Sequence, residues 1–151
     1  AEIFHKREQV FFIGRGPDSG VSYEGSLKLK EVSYINSFAI AAGELKHGTI
    51  ALIEDDTLVF ALATQDKLFE KMIANIAEIK ARGARVIAVA KEGNEEIEKK
   101  ADDSIFIPEC MDELTPLLSV VPLQIFAYYV AKKRGCDVDK PKNLAKSVTV
   151  E

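Results

Sequence analysis

Cysteine and histidine are scarce, with only two of each among 151 residues. Cys110 and Cys136 stand far apart with no CxxC pair, and the histidines are His5 and His47. A structural zinc site would need all four to converge from unrelated positions, so no metal site is expected. Two unpaired thiols fit a reducing compartment, each acting as a small buried hydrophobe. There is no basic excess either: 20 Lys and Arg against 24 Asp and Glu give a net charge of −4. That balance excludes a nucleic-acid footprint and a polybasic membrane patch. No apolar run approaches the roughly 18 residues of a membrane span, and the N-terminal AEIFHKREQ has no signal-peptide core. Internal repeats and low-complexity segments are missing too. A soluble, cytoplasmic protein without nucleic-acid or membrane partners is the expectation.

What is present describes one globular domain. With 47% hydrophobic and 29% charged residues, a chain of this length buries enough surface to fold without a staple. Val10 to Ile13 reads as a buried strand ending at Gly14, followed by the turn-rich loop Gly14-Arg15-Gly16-Pro17-Asp18-Ser19-Gly20. A helical pattern runs from about Val21 to Ile35, and Phe38 to Gly48 reads as a connection. Thr57 to Ala63 is a second strand. Asp66 is placed to cap a helix carrying Leu68, Met72, Ile76 and Ile79 on one stripe, with Gly83 as its stop. Arg85 to Ala90 is a strand, Asn94 to Ala101 a short charged helix, and Ser104 to Ile107 a strand. Thr115-Pro116 then opens a helix that stops at Gly135.

Strands that alternate with helices and are apolar on both faces predict an α/β fold with a doubly wound parallel sheet flanked by helices. Residues 1–9 read as a linker, 10–135 as the domain, and 136–151 as an extended tail. The helix after Pro116 has almost no polar face, which predicts burial on the sheet and on a partner surface, with a kink or an unpaired carbonyl at Pro122.

Three segments invite a functional reading. Gly14-x-Gly16-x-x-x-Gly20 has part of a dinucleotide fingerprint, but its last glycine is one residue late. Ala63-Thr64 also stands where an acidic residue should close the second strand. The loop reads instead as a tight crossover that brings a helix N-terminus near a small anion. A signal-receiver site fails as well, for want of an acidic pair after the first strand and an Asp after the third.

Glu24, Lys28 and Glu31 fall at i, i+4 and i+7 on one helical stripe with Ile35, while Gly25, Ser26, Leu29 and Ser33 form a small-residue face suited to close packing. The stripe is either a solvated ion pair or a carboxylate and ammonium held at a cleft edge for proton transfer. His47, between Gly43 and Gly48, is a structural or surface histidine, or a group brought close to a ligand. Lys146 lies in a tail without periodicity.

The blocks FFIGRG, YEGSLKLKEVSYI, AAGELKHGTIALI and VPLQIFAYYVAKKRGCDVDKPKNLAKSVTVE, in this order, closely resemble the glucosamine-6-phosphate synthases. These are the isomerizing glutamine:fructose-6-phosphate aminotransferases. The resemblance covers nearly the whole chain and corresponds to the second sugar-isomerase (SIS) lobe, a flavodoxin-like three-layer sandwich.

It implies that Glu31 moves a proton between C1 and C2 of the sugar, assisted by Lys28. It implies that His47, supplied by the neighbouring subunit of a homodimer, opens the sugar ring. Lys146 would form a Schiff base with C2 of fructose 6-phosphate, Ala145 would lie against the sugar, and glucosamine 6-phosphate would be the product. No cofactor is implied. The family also carries a glutaminase domain headed by a cysteine and a first SIS lobe whose Ser/Thr-rich loop holds the phosphate. Ala1 stands at the start here, and the turn Ala63-Thr64-Gln65-Asp66 offers one hydroxyl and a carboxylate that repels phosphate. Little or no activity of the isolated lobe is therefore expected. The rival is a non-catalytic sugar-phosphate-binding module on the same fold, and the joint presence of Glu31, His47 and Lys146 favours the enzyme. A further role in dimerisation fits the apolar helix.

Overall fold

A computed structural model describes residues 2–142 and 144. Five strands form one parallel sheet: β1 (Gln9–Gly14), β2 (Asn36–Ala41), β3 (Leu58–Leu62), β4 (Arg85–Lys91) and β5 (Asp103–Ile107). Their spatial order is β2-β1-β3-β4-β5. The chain thus winds outward from β1 to β2 in one direction and from β3 to β5 in the other. The direction switches between β1 and β3, leaving a crevice at their carboxyl ends, where ligands enter folds of this kind.

Alternation along the strands gives each face its own core. Val10, Phe12, Leu58, Phe60, Leu62, Ile87 and Val89 point to α1 (Pro17–Ser33) and α4 (Thr115–Lys133). Phe11, Ile13, Val59, Ala61, Val86 and Ala88 point to α2 (Phe69–Lys80) and α3 (Glu95–Lys100). Two packed faces explain why the central strands are apolar throughout rather than alternating. Asn94 caps α3, its side chain accepting the Ile97 N–H at 3.1 Å.

Several expectations need correction. The first part of Phe38 to Gly48, read as a connection, belongs to the edge strand β2 (Asn36–Ala41), whose half-exposed residues lack the uninterrupted apolar run of a central strand. Helix α1 starts at Pro17, not Val21, because proline suits the first helical turn. It ends at Ser33, so Ile35 leaves the Glu24–Lys28–Glu31 stripe and is buried below it. Asp66 does not cap α2: it opens a 3-10 turn, Asp66–Leu68, and its carboxylate reaches Lys91 instead. Residues 2–8 fold back as turns, with Phe4 buried against Phe126 and under the Arg85 guanidinium. Both cysteines are free and half-buried rather than buried.

Helix α4 is long and apolar enough, by length and composition, to cross a membrane, although no run of that reach was read from the sequence. Leu123, Phe126, Ala127 and Val130 instead bury one side of it in the α1 face of the core. Leu117, Val121, Ile125, Tyr128 and Tyr129 stay exposed along the other side. It runs unbroken through Pro122, where the missing N–H leaves one carbonyl a turn earlier without its helical donor. The small-residue face of α1 behaves as expected: a Cβ on Gly25 would stand 2.6 Å from Leu123 Cδ1 and 3.1 Å from Phe12.

Candidate functional site

Helix α1 runs back antiparallel to the strands, so its last turns lie at the amino ends of β1 and β2. There Lys28 Nζ donates to Glu31 Oε2 at 2.7 Å and stands 3.5 Å from Glu24 Oε1. The hydrogen bond from Lys28 to Glu31 is the main cause holding the ammonium pKa above its ordinary value; partial burial opposes it and Glu24 adds to it. The tight partner is thus Glu31 at i+3, not Glu24 at i+4. Glu31 and Lys28 border an open groove of about 810 Å³ whose far wall is Val138, Asp139, Lys140, Pro141 and Leu144. A smaller hollow of about 290 Å³ continues from Lys28 between α1 and α4, past Gln124 and Tyr128.

The far wall is built by the reversal after α4. Gly135, at φ 71°, lets its own N–H reach Lys132 O and the Cys136 N–H reach Ala131 O at 2.9 Å, a paired helix stop. The chain then crosses the end of α1. Asp137 Oδ1 accepts the N–H groups of Asp139 and Lys140 at 3.0 and 3.1 Å. Tyr34 Oη accepts the Lys142 N–H at 2.7 Å. Ala145 and Lys146 lie outside the described residues.

His47 is placed elsewhere. It ends the 3-10 turn Ala42–His47, beyond the carboxyl end of β2, and Ala42 and Leu45 of that turn bury in the α2 face of the core. Its side chain is 74% exposed and stands 3.9 Å from Glu44. Glu31 and His47 therefore occupy opposite ends and opposite faces of the sheet. Six strand residues at about 3.3 Å each put roughly 20 Å between those ends, before the thickness of the layers is added. One chain does not bring the two together.

The crevice between β1 and β3 holds a network that the sequence reading missed. Asp18, only 1% exposed, sits in the first turn of α1 and accepts the Thr64 N–H at 2.8 Å and the Thr64 hydroxyl at 2.6 Å. Gln65 Nε2 adds a long contact to it at 3.4 Å and donates to Thr115 Oγ1 at 2.6 Å. Burial pushes the Asp18 carboxyl up from its ordinary value, and the donors of Thr64 and Gln65 only partly offset this.

Beside it, the buried Lys91 gathers Asp112 at 2.8 Å, Asp66 at 3.0 Å and Glu109 at 3.4 Å. Burial works against its charge, but the bonds to Asp112 and Asp66 prevail and raise its pKa. The turn thus lacks a free anion cradle for a stronger reason than the Asp66 charge, since both donors of Thr64 already serve an internal carboxylate. Gly16-Pro17-Asp18 was the available signal: a proline-started helix with an acid in its first turn. Nothing in the sequence marked Thr64 as its partner.

The family model of the SIS domain matches residues 2–133. The chain belongs to the SIS domain family. Among curated relatives, this SIS domain is 65% identical over 144 residues to the glutamine–fructose-6-phosphate aminotransferase [isomerizing] of Caldanaerobacter subterraneus subsp. tengcongensis, covering 95% of this chain and 24% of that protein. It is 53% identical over 151 residues to that of Thermus thermophilus, covering 100% of this chain and 25% of the relative. The chain spans about a quarter of the length of the curated relatives it matches. Among solved structures, it resembles the C-terminal domain of glucosamine-fructose-6-phosphate aminotransferase from Francisella tularensis, with TM-score 0.84 and 34% identity over 92% of this chain and 39% of that one. A glucosamine-6-phosphate deaminase from Thermotoga maritima follows, with TM-score 0.76 and 33% identity over 94% of this chain and 40% of that one. The SIS fold read from the sequence is confirmed.

Proposed function

We propose that this SIS lobe is the catalytic half-site of a cytoplasmic glutamine–fructose-6-phosphate aminotransferase, completed by a first SIS lobe, a glutaminase domain and a second subunit. The observation that carries the reading is the 2.7 Å Glu31–Lys28 pair at the rim of a groove walled by the segment that leads to Lys146.

The chemistry follows from these residue types. A cyclic ketose has no free carbonyl, and an imidazole working near neutrality opens it; that is the role of His47. The neutral amine of Lys146 adds to C2 and expels water, giving an iminium that acidifies the C1 hydrogens. Ammonia displaces the lysine at C2. Glu31 then takes a proton from C1 of the iminium and returns it to C2, while the C1 hydroxyl releases its proton to solvent, leaving an aldehyde at C1 and an amine at C2. Lys28, hydrogen-bonded to Glu31, keeps that carboxylate oriented between the two carbons, and Ala145 lies against the sugar. Because Glu31 and His47 are far apart in one chain, His47 comes from the second subunit, and the isolated lobe has little or no isomerase activity.

Mixing two inactive full-length variants tests the shared site. In a mixed Glu31→Gln and His47→Asn dimer, one site carries both lesions and the other carries neither. Random mixing should therefore restore about a quarter of wild-type turnover of fructose 6-phosphate. Activity no higher than the separate variants would refute sharing. Robust turnover by the isolated chain supplied with ammonia would refute the half-site reading.

A further inference from the structure

Tyr34 caps α1 in the left-handed conformation, with φ 60° and ψ 18°, where a bulky residue is uncommon and strained. Glycine would sit there at no cost, so the side chain should have a task. Among the described residues, its two polar contacts both go to Lys142. The phenol oxygen accepts the Lys142 N–H at 2.7 Å, and the Lys142 ammonium lies 5.7 Å from the ring centre. Tyr34 follows Glu31 by three residues, and Lys142 precedes Lys146 by four. Four extended residues span at most about 14 Å, so fixing residue 142 fixes the sphere within which Lys146 must act. Leu144, beyond the anchor, lines the same groove as Glu31.

We infer that Tyr34 is a positioning residue, whose phenol oxygen pins the C-terminal arm beside the Glu31–Lys28 pair and sets the reach of the Lys146 amine. This rests on the functional reading above, in which Lys146 forms the Schiff base.

The test uses full-length enzyme and its Tyr34→Phe variant, which keeps the ring and its cation contact and removes only the acceptor. With fructose 6-phosphate and borohydride, hydride adds to C2 of the iminium and leaves a stable secondary amine, which mass spectrometry assigns to a residue. The expected result is labelling of Lys146 in the wild type. In Tyr34→Phe, kcat and the labelling rate should fall about 5-fold, the factor for one hydrogen bond, with KM and the thermal midpoint unchanged. Wild-type labelling at Lys146 with no slowing in Tyr34→Phe overturns the role of Tyr34 and leaves the functional reading intact. Slowing that merely tracks a lower thermal midpoint also overturns it, as a structural effect. Absence of Lys146 labelling in the wild type overturns the functional reading and this inference together.

Discussion

Replacing Asp18 by alanine takes away the acceptor of two Thr64 donors at once. Among the described residues the Thr64 N–H donates only to Asp18, and an orphaned buried donor costs about 1–3 kcal/mol. The Thr64 hydroxyl can rotate toward another acceptor, and Gln65 keeps its 2.6 Å bond to Thr115, so these add less. Relief from holding a buried carboxylate offsets part of the loss. The net expectation for Asp18→Ala is a destabilisation of about 2–4 kcal/mol. At about 2–4 °C per kcal/mol for a domain this long, the thermal midpoint falls by roughly 5–15 °C. Asp18→Asn keeps one oxygen for the Thr64 N–H but turns the other contact into a second donor, and should cost about 1 kcal/mol. Thermal unfolding by circular dichroism at pH 7, reading the order wild type, Asn, Ala, measures this. An alanine variant within 0.5 kcal/mol of wild type, or an asparagine variant less stable than the alanine one, would refute the reasoning.

Two further outcomes follow from packing and charge. Gly25→Val should destabilise by about 2 kcal/mol through its clash with Leu123, and Leu123→Ala in the same chain should recover part of the loss; a denaturation double-mutant cycle showing strict additivity would contradict the close α1–α4 contact. The carboxyls of Asp112, hydrogen-bonded to Lys91, and Asp102, which outweighs its burial through bonds to Lys80 and the Val86 N–H, are held below the ordinary value of 3.8. Their contribution is therefore complete above pH 3.8 and lost as pH falls through their folded values. Lys91→Met should remove the Asp112 share of this acid sensitivity and keep that of Asp102, as read from unfolding midpoints across pH 2 to 5.

The layered sheet was legible because its signal is collective. β3 is apolar throughout and β4 is apolar from Val86 to Ala90, and Gly83 and Gly135 punctuate the chain with positive φ. The edge strand β2 escaped because only one side of it packs on a neighbouring strand, so its residues need not be apolar throughout. The close α1–α4 contact was readable in Gly25, Ser26, Leu29 and Ser33, since small residues at helical spacing allow two backbones to approach.

The Glu31–Lys28 pair was readable as a stripe, though its i+3 geometry was not. The Asp18–Thr64 bond joins residues 46 positions apart, and the Lys91 cluster joins residues as far apart as 25. Pairings of that range follow from the register of β1, β3 and β4, which no local pattern announces. The folding of Tyr34 onto Lys142 spans 108 positions and was invisible for the same reason.

The absence of a side chain at Gly25 also governs how the groove moves. A Leu123 methyl of α4 and the Phe12 ring of β1 fill the space a side chain would take there, so sliding α4 along α1 at this point would open a void or press that methyl into the helix. Glu31 and Lys28 sit on one of the two helices joined by this contact, and the root of the arm sits at the end of the other. The arm leaves the helices at the hydrogen-bonded Gly135 stop and meets α1 again at Tyr34, so residues 136–142 form a strap tied to this helix pair at both ends.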